Sequence, residues 1–167
     1  MPVAQLLSEL QQNRSALFAP LRGMSDERFR LIPMGEAWSI ATHLAHVLRC
    51  ERMLVERAAR ALREDEPSVA STGITNDDDP ALAQRLAVPQ IIHGLQASRR
   101  ALEELLDGRD DASLERAIVH ERDGRVTARA LVEKAVAHER EHAAAVARIA
   151  QAAPDASRVI IPLAPRG

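Results

Sequence analysis

Six histidines are the residues of this chain best suited to chemistry, and two pairs of them are spaced for it. His138 and His142 stand four apart. On a helix that spacing puts both imidazoles on one side, a turn apart, where they can share a metal ion. His43 and His46 stand three apart on another helical segment. Imidazole suits zinc, nickel and iron, so ligand type does not choose among these ions. The string His138-Glu139-Arg140-Glu141-His142 also matches H-E-x-x-H, in which zinc peptidases use the histidines as ligands and the glutamate as base. Those enzymes usually take a third ligand downstream. Nothing after His142 is His or Glu, Asp155 is the only acidic residue left, and no sheet-forming region of the usual kind is present. The peptidase reading is therefore set aside.

Four amphipathic segments must position these side chains. The first runs from about Val3 to Leu21 with an imperfect stripe of Leu6, Leu7, Leu10, Leu17 and Leu21. A short turn follows around Ser25–Phe29. Ser39 reads as the N-cap of a second helix reaching about Glu64. Ile40, Leu44, Val47, Leu54, Val55, Ala58 and Leu62 share one of its faces; Arg49, Arg52, Glu56, Arg60 and Arg63 take the other and read as solvated. Glu66–Pro80 reads as a loop and 81–88 as a separate helical piece. The third helix covers Pro89–Leu106, with Ile91, Leu95, Ser98, Leu102, Leu105 and Leu106 as its stripe. Asp123-Gly124, flanked by extended-favouring residues, predicts a hairpin between Ile118 and Thr127. Thr127 then caps a fourth helix to about Gln151, with Leu131, Val132, Ala135, Val136, Ala143, Val146 and Ile149 on one face. The pattern predicts an all-α four-helix bundle over residues 1–152, with a hairpin-like loop before the fourth helix. An extended tail, 153–167, is apolar at Val159–Leu163 and is expected to dock on the bundle or on a second subunit.

At 100° per residue, His138 and His142 lie roughly 40–80° from the centre of their helix's apolar stripe. Glu139 lies almost at that centre, and Glu51 falls inside the stripe of the second helix. A carboxylate in an apolar stripe must be paired, protonated or bound. Glu51 and Glu139 are thus candidates to orient ligand histidines or to act as acid or base. His46 flanks its stripe, with Cys50 one turn on; Cys50 reads as a small buried thiol able to approach a metal. His43 reads as a neighbour of the helix cap or a group bonded to a ligand, His120 as a hairpin residue at the cleft mouth. His93 reads as solvated and Trp38 as a packing anchor.

Composition narrows the function classes. The 167 residues are near the usual size of one domain, and 46% hydrophobic with 28% charged residues describes an ordinary globular protein. A net charge of −2 argues against a general nucleic-acid binder. No uncharged apolar run approaches the roughly 18–20 residues of a membrane span. One cysteine and a start, Met1-Pro2-Val3-Ala4-Gln5, without a basic segment ahead of a hydrophobic one lead to the expectation of a reducing, cytoplasmic setting.

Two motifs extend the argument. Trp38-Ser39 is followed after six residues by His46, then by Glu51; later come Gly124, Thr127, Ala130-Leu131 and His138-x-x-x-His142. In this order and spacing the sequence resembles the DinB-like family, which includes thiol transferases active with bacillithiol and mycothiol. The resemblance covers about residues 1–152. It implies a four-helix bundle, commonly a homodimer, with a divalent transition metal (zinc, nickel or iron) on His46, His138 and His142. It further implies a metal-dependent transferase in which a small thiol, or water, attacks a small electrophile. A non-catalytic dimeric bundle with a structural metal, its shell closed by Cys50 or His43, stays open as an alternative, as does metal-dependent hydrolysis. His43 and Glu139, which stands where Asp is frequent, depart from the family pattern, and the tail after Pro154 has no counterpart in it.

Overall fold

The computed structural model describes residues 1–72, 76–152 and 157–160. In chain order its helices are α1 (Val3–Phe18), α2 (Asp26–Arg30), α3 (Ile40–Arg63), α4 (Asp79–Arg85), α5 (Val88–Leu106) and α6 (Ala128–Gln151). Its short strands are β1 (Leu31–Pro33), β2 (Ser68–Val69), β3 (Ala117–His120), β4 (Gly124–Thr127) and β5 (Ser157–Ile160).

The helices begin and end for local reasons. The Ser39 hydroxyl accepts the Thr42 N–H at 3.1 Å to open α3, and the Thr127 hydroxyl accepts the Ala130 N–H at 3.1 Å to open α6. Each cap satisfies an amide that has no partner within the helix. α1 stops at Phe18 rather than Leu21, because Pro20 cannot continue it; the chain tightens into a 3-10 turn over Ala19–Leu21. α5 takes Pro89 into its first turn, where no amide is needed. Within the segment predicted as a 66–80 loop lies β2, and α4 starts at Asp79 instead of 81.

α3 packs against α5 and α6, and α1 against α6, giving the predicted four-helix bundle. β3 and β4 form the predicted hairpin before α6, with Gly124 at φ 69° where a side chain would be strained, and β2 adds to β3 in parallel. β5 pairs antiparallel with β1, so this part of the tail is extended and docks on its own chain. The remaining apolar tail positions, 161–163, lie outside the described residues. No helix among the described residues is long and apolar enough to cross a membrane.

The core has two apolar halves. One gathers Leu6, Leu10, Leu54, Leu102, Leu106 and Val136, the other Leu17, Leu44, Val47, Leu95, Val146 and Ile149. Each bundle helix places one charged residue between its two halves: Arg14, Glu51, Arg99 and Glu139. Arg14 Nε donates to Glu139 at 2.5 Å and its Nη2 to Glu51 at 2.8 Å. Arg99 Nε donates to Glu51 at 2.9 Å and its Nη2 to Glu139 at 2.5 Å. The Nη1 groups donate to backbone carbonyls, Arg14 to Leu95 and Arg99 to Leu10. Two positive and two negative side chains thus neutralise one another inside the core, the condition under which burying charge is tolerated. Burial pulls the Arg99 pKa down, but the two glutamates more than offset it and raise the value.

Candidate metal centre

The N-terminal half of α3 carries His43 and His46, and the middle of α6 carries His138 and His142. The packing of α3 on α6 brings all four rings together. His46 Nε2 lies 2.8 Å from His138 Nε2 and 3.6 Å from Cys50 Sγ. The donor atoms of His46, Cys50 and His138 all lie within 4.8 Å of one another. The His142 ring joins them, its centroid 4.5 Å from that of His138 and 4.8 Å from that of His46. Its Nδ1 meets His43 Nδ1 at 2.8 Å. Trp38 walls the cluster: its ring stands 5.1 Å from His43 and from His46, and stacks on His142 at 6.1 Å. It is more than the packing anchor expected.

Desolvation makes these rings weak bases. Burial lowers His43 to about 4 against the efforts of Glu36. Burial, reinforced by His46, lowers His138 to about 4; burial, reinforced by His138, lowers His142 to about 3. All three are therefore neutral at pH 7, the form in which imidazole binds a metal. Burial also pushes the Cys50 thiol above its ordinary pKa, which keeps it inert in the absence of a cation.

Asp79 sets the orientation. Its side chain is fully buried, accepts the His46 Nδ1 proton at 2.6 Å, and takes two bonds from Arg49 at 2.7 and 2.9 Å. With Nδ1 so engaged, a neutral His46 presents its Nε2 lone pair to the cluster. His43 fills the same role for His142: when it accepts the His142 Nδ1 proton, the His142 Nε2 lone pair is free.

The other expectations are redistributed. Glu51 and Glu139 do not orient a histidine or stand free as acid or base; both are bound by Arg14 and Arg99 in the core layer. Arg49 is not simply solvated, since it grips Asp79. His120 closes on its own hairpin, 3.0 Å from Asp123, and His93 is exposed. Sequence reasoning missed Asp79 because Asn76-Asp77-Asp78-Asp79-Pro80 has the composition of a turn. The one signal was an acid directly before a proline, which fits the first turn of a helix.

A family model of the DinB superfamily matches residues 9–146. The chain belongs to the DinB superfamily. Two solved structures resemble this DinB chain. One is YfiT from Bacillus subtilis, described as a probable metal-dependent hydrolase with an unusual four-helix bundle topology; it is 15% identical, TM-score 0.73, over 89% of this chain and 86% of YfiT. The other is TT2238, described as a four-helix bundle protein; it is 20% identical, TM-score 0.62, over 87% of this chain and 98% of that one. At these identities the likeness establishes the DinB fold, not a shared activity. No curated protein matches the chain.

Proposed function

We propose that this DinB protein is a metal-dependent enzyme in which a divalent transition metal, held by His46, His138 and His142, activates a small thiol for attack on a small electrophile. The observation that carries the reading is His46 itself: Asp79 occupies its Nδ1, and its Nε2 faces His138 Nε2 at 2.8 Å. Imidazole nitrogens gathered this closely fit a cation better than they fit one another. Such an ion is a Lewis acid that lowers the pKa of a bound thiol or water. The protein's own residues hold the ring orientations through Asp79 and His43, and Trp38 excludes water from one side. In the transfer the thiol proton passes to solvent, the sulfur–carbon bond forms, and the leaving group departs with its electron pair. Thiol attack needs no protein base, which suits a site whose glutamates are bound by arginines. Water attack, the chemistry in YfiT's description, would draw on the same lowering of pKa, likewise without help from Glu51 or Glu139, which the arginines bind. Zinc and nickel fit the donor set, and a homodimer is part of the same reading.

One observation favours a second reading. Cys50 Sγ stands 3.6 Å from His46 Nε2, close enough to close the shell and make the metal structural. Cobalt(II) loading separates the two. Visible ligand-field bands that disappear in His46→Ala and His142→Ala, with no near-ultraviolet sulfur-to-cobalt band, support the open three-histidine centre. A sulfur-to-cobalt band that Cys50→Ala removes supports the closed one. Thiol consumption with chlorodinitrobenzene, compared with and without metal, then tests the activity. Absence of any metal-dependent rate across cellular thiols overturns it.

A further inference from the structure

We infer that the groove between α3 and α4 is a binding site for a small organic carboxylate carried on an apolar body, distinct from the histidine cluster. The groove has a volume of about 660 Å³, within the usual range of small-molecule sites. Leu48, Leu82 and Leu86 form its apolar lining. Three guanidinium groups, Arg49, Arg52 and Arg85, share it with one carboxylate among the described residues, Asp78; since Asp79 already neutralises Arg49, an excess of one positive charge remains.

The arginines are placed for a ligand. Arg49 spends Nε and Nη2 on Asp79, so its Nη1 hydrogens remain for the groove. Arg14, Arg30, Arg60, Arg99, Arg125, Arg129, Arg140 and Arg148 each pair with a carboxylate. Arg52 and Arg85 make no hydrogen bond or ion pair among the described residues, although they line one groove. Gly94 on α5 contributes to the shape. A Cβ there would stand 2.8 Å from Leu48 Cδ2 and 3.2 Å from Arg52 Nη2. Its absence leaves room for both side-chain tips to lie against α5. A planar fork next to an apolar surface matches a carboxylate on a hydrocarbon body, since the fork binds both oxygens and the leucines cover the rest.

The test is calorimetric titration of chelator-treated protein with 4-phenylbutyrate, so that its outcome does not depend on the metal reading. Saturable binding at one site per chain is expected. Loss of one charge-assisted contact in Arg52→Gln or Arg85→Gln should weaken it about tenfold each. Both side chains are exposed, and unchanged circular dichroism confirms that the variants fold. Arg122→Gln, on the exposed hairpin turn, should bind as wild type does. 4-Phenylbutanol, which keeps the body and loses the charge, and inorganic phosphate, which does the reverse, should each bind at least about tenfold more weakly. The inference is overturned if 4-phenylbutyrate shows no saturable binding, if the two arginine variants bind like wild type, or if either control ligand matches 4-phenylbutyrate.

Discussion

Asp79 is the residue on which the centre turns, because it is the carboxylate that chooses which nitrogen His46 offers. Partners of this kind typically change metal affinity 10–100-fold. Asp79→Asn should therefore weaken zinc binding about 10–100-fold, read by competition with a chromophoric chelator; an unchanged affinity would remove Asp79 from the centre. The histidines also predict a pH dependence. Burial holds His43 and His138 near 4 and His142 near 3, while the unfolded chain keeps the ordinary 6.5. Between these values the unfolded state binds protons that the folded state refuses, so acid favours unfolding. The contribution is fully present above about 6.5 and is lost as pH falls through about 4 for His43 and His138 and about 3 for His142. The melting temperature of chelator-treated protein should fall from pH 7 to pH 4, and less steeply in His142→Gln. Equal slopes in the two proteins would show that His142 is not held neutral by the fold.

At the scale of elements, the charged layer decides how the four helices register. Arg14 follows Leu10 by four residues and precedes Leu17 by three, and Arg99 stands in the same relation to Leu95 and Leu102. Each therefore occupies a core position of its helix. Removing one partner leaves a charge buried without compensation, which costs about 3–5 kcal/mol. Arg99→Met should be destabilised by that amount in urea unfolding. Replacing all four charges together with apolar residues of similar volume should cost far less, and can stabilise. If Arg99→Met loses less than about 1 kcal/mol, the layer is not held as described.

On the scale of the whole molecule, the proposed ligands come from α3 and α6, which are far apart in sequence and adjacent in space. A metal bound by both helices favours the folded state over the unfolded one by mass action. At a free concentration about a thousand times Kd this amounts to about 4 kcal/mol, or about 10 °C in melting temperature for a chain of this size. Differential scanning calorimetry with zinc and then with chelator should show that difference. A melting temperature indifferent to metal, nickel included, would leave a helical bundle whose histidines hold no ion.

The sequence alone determined the helices and their caps. Leucine spacing, Ser39, Thr127 and Gly124 act within a few residues of themselves, and local signals of that kind survive without tertiary context. It also paired His138 with His142 through their i, i+4 spacing, and the resemblance to the DinB-like family added His46 as an expected third ligand, because motif order along the chain is a one-dimensional fact. Glu51 and Glu139 were visible as carboxylates in apolar stripes, but their partners were not. Arg14 lies 37 residues from Glu51 and 125 from Glu139, and periodicity on one helix says nothing of what faces it from another. The same holds for Asp79, which a turn-like run conceals and which only the docking of α4 on α3 brings to His46. Which charges pair, which nitrogen points inward and which arginines stay open to a groove were decided by packing, since each depends on contacts between segments that do not adjoin in sequence.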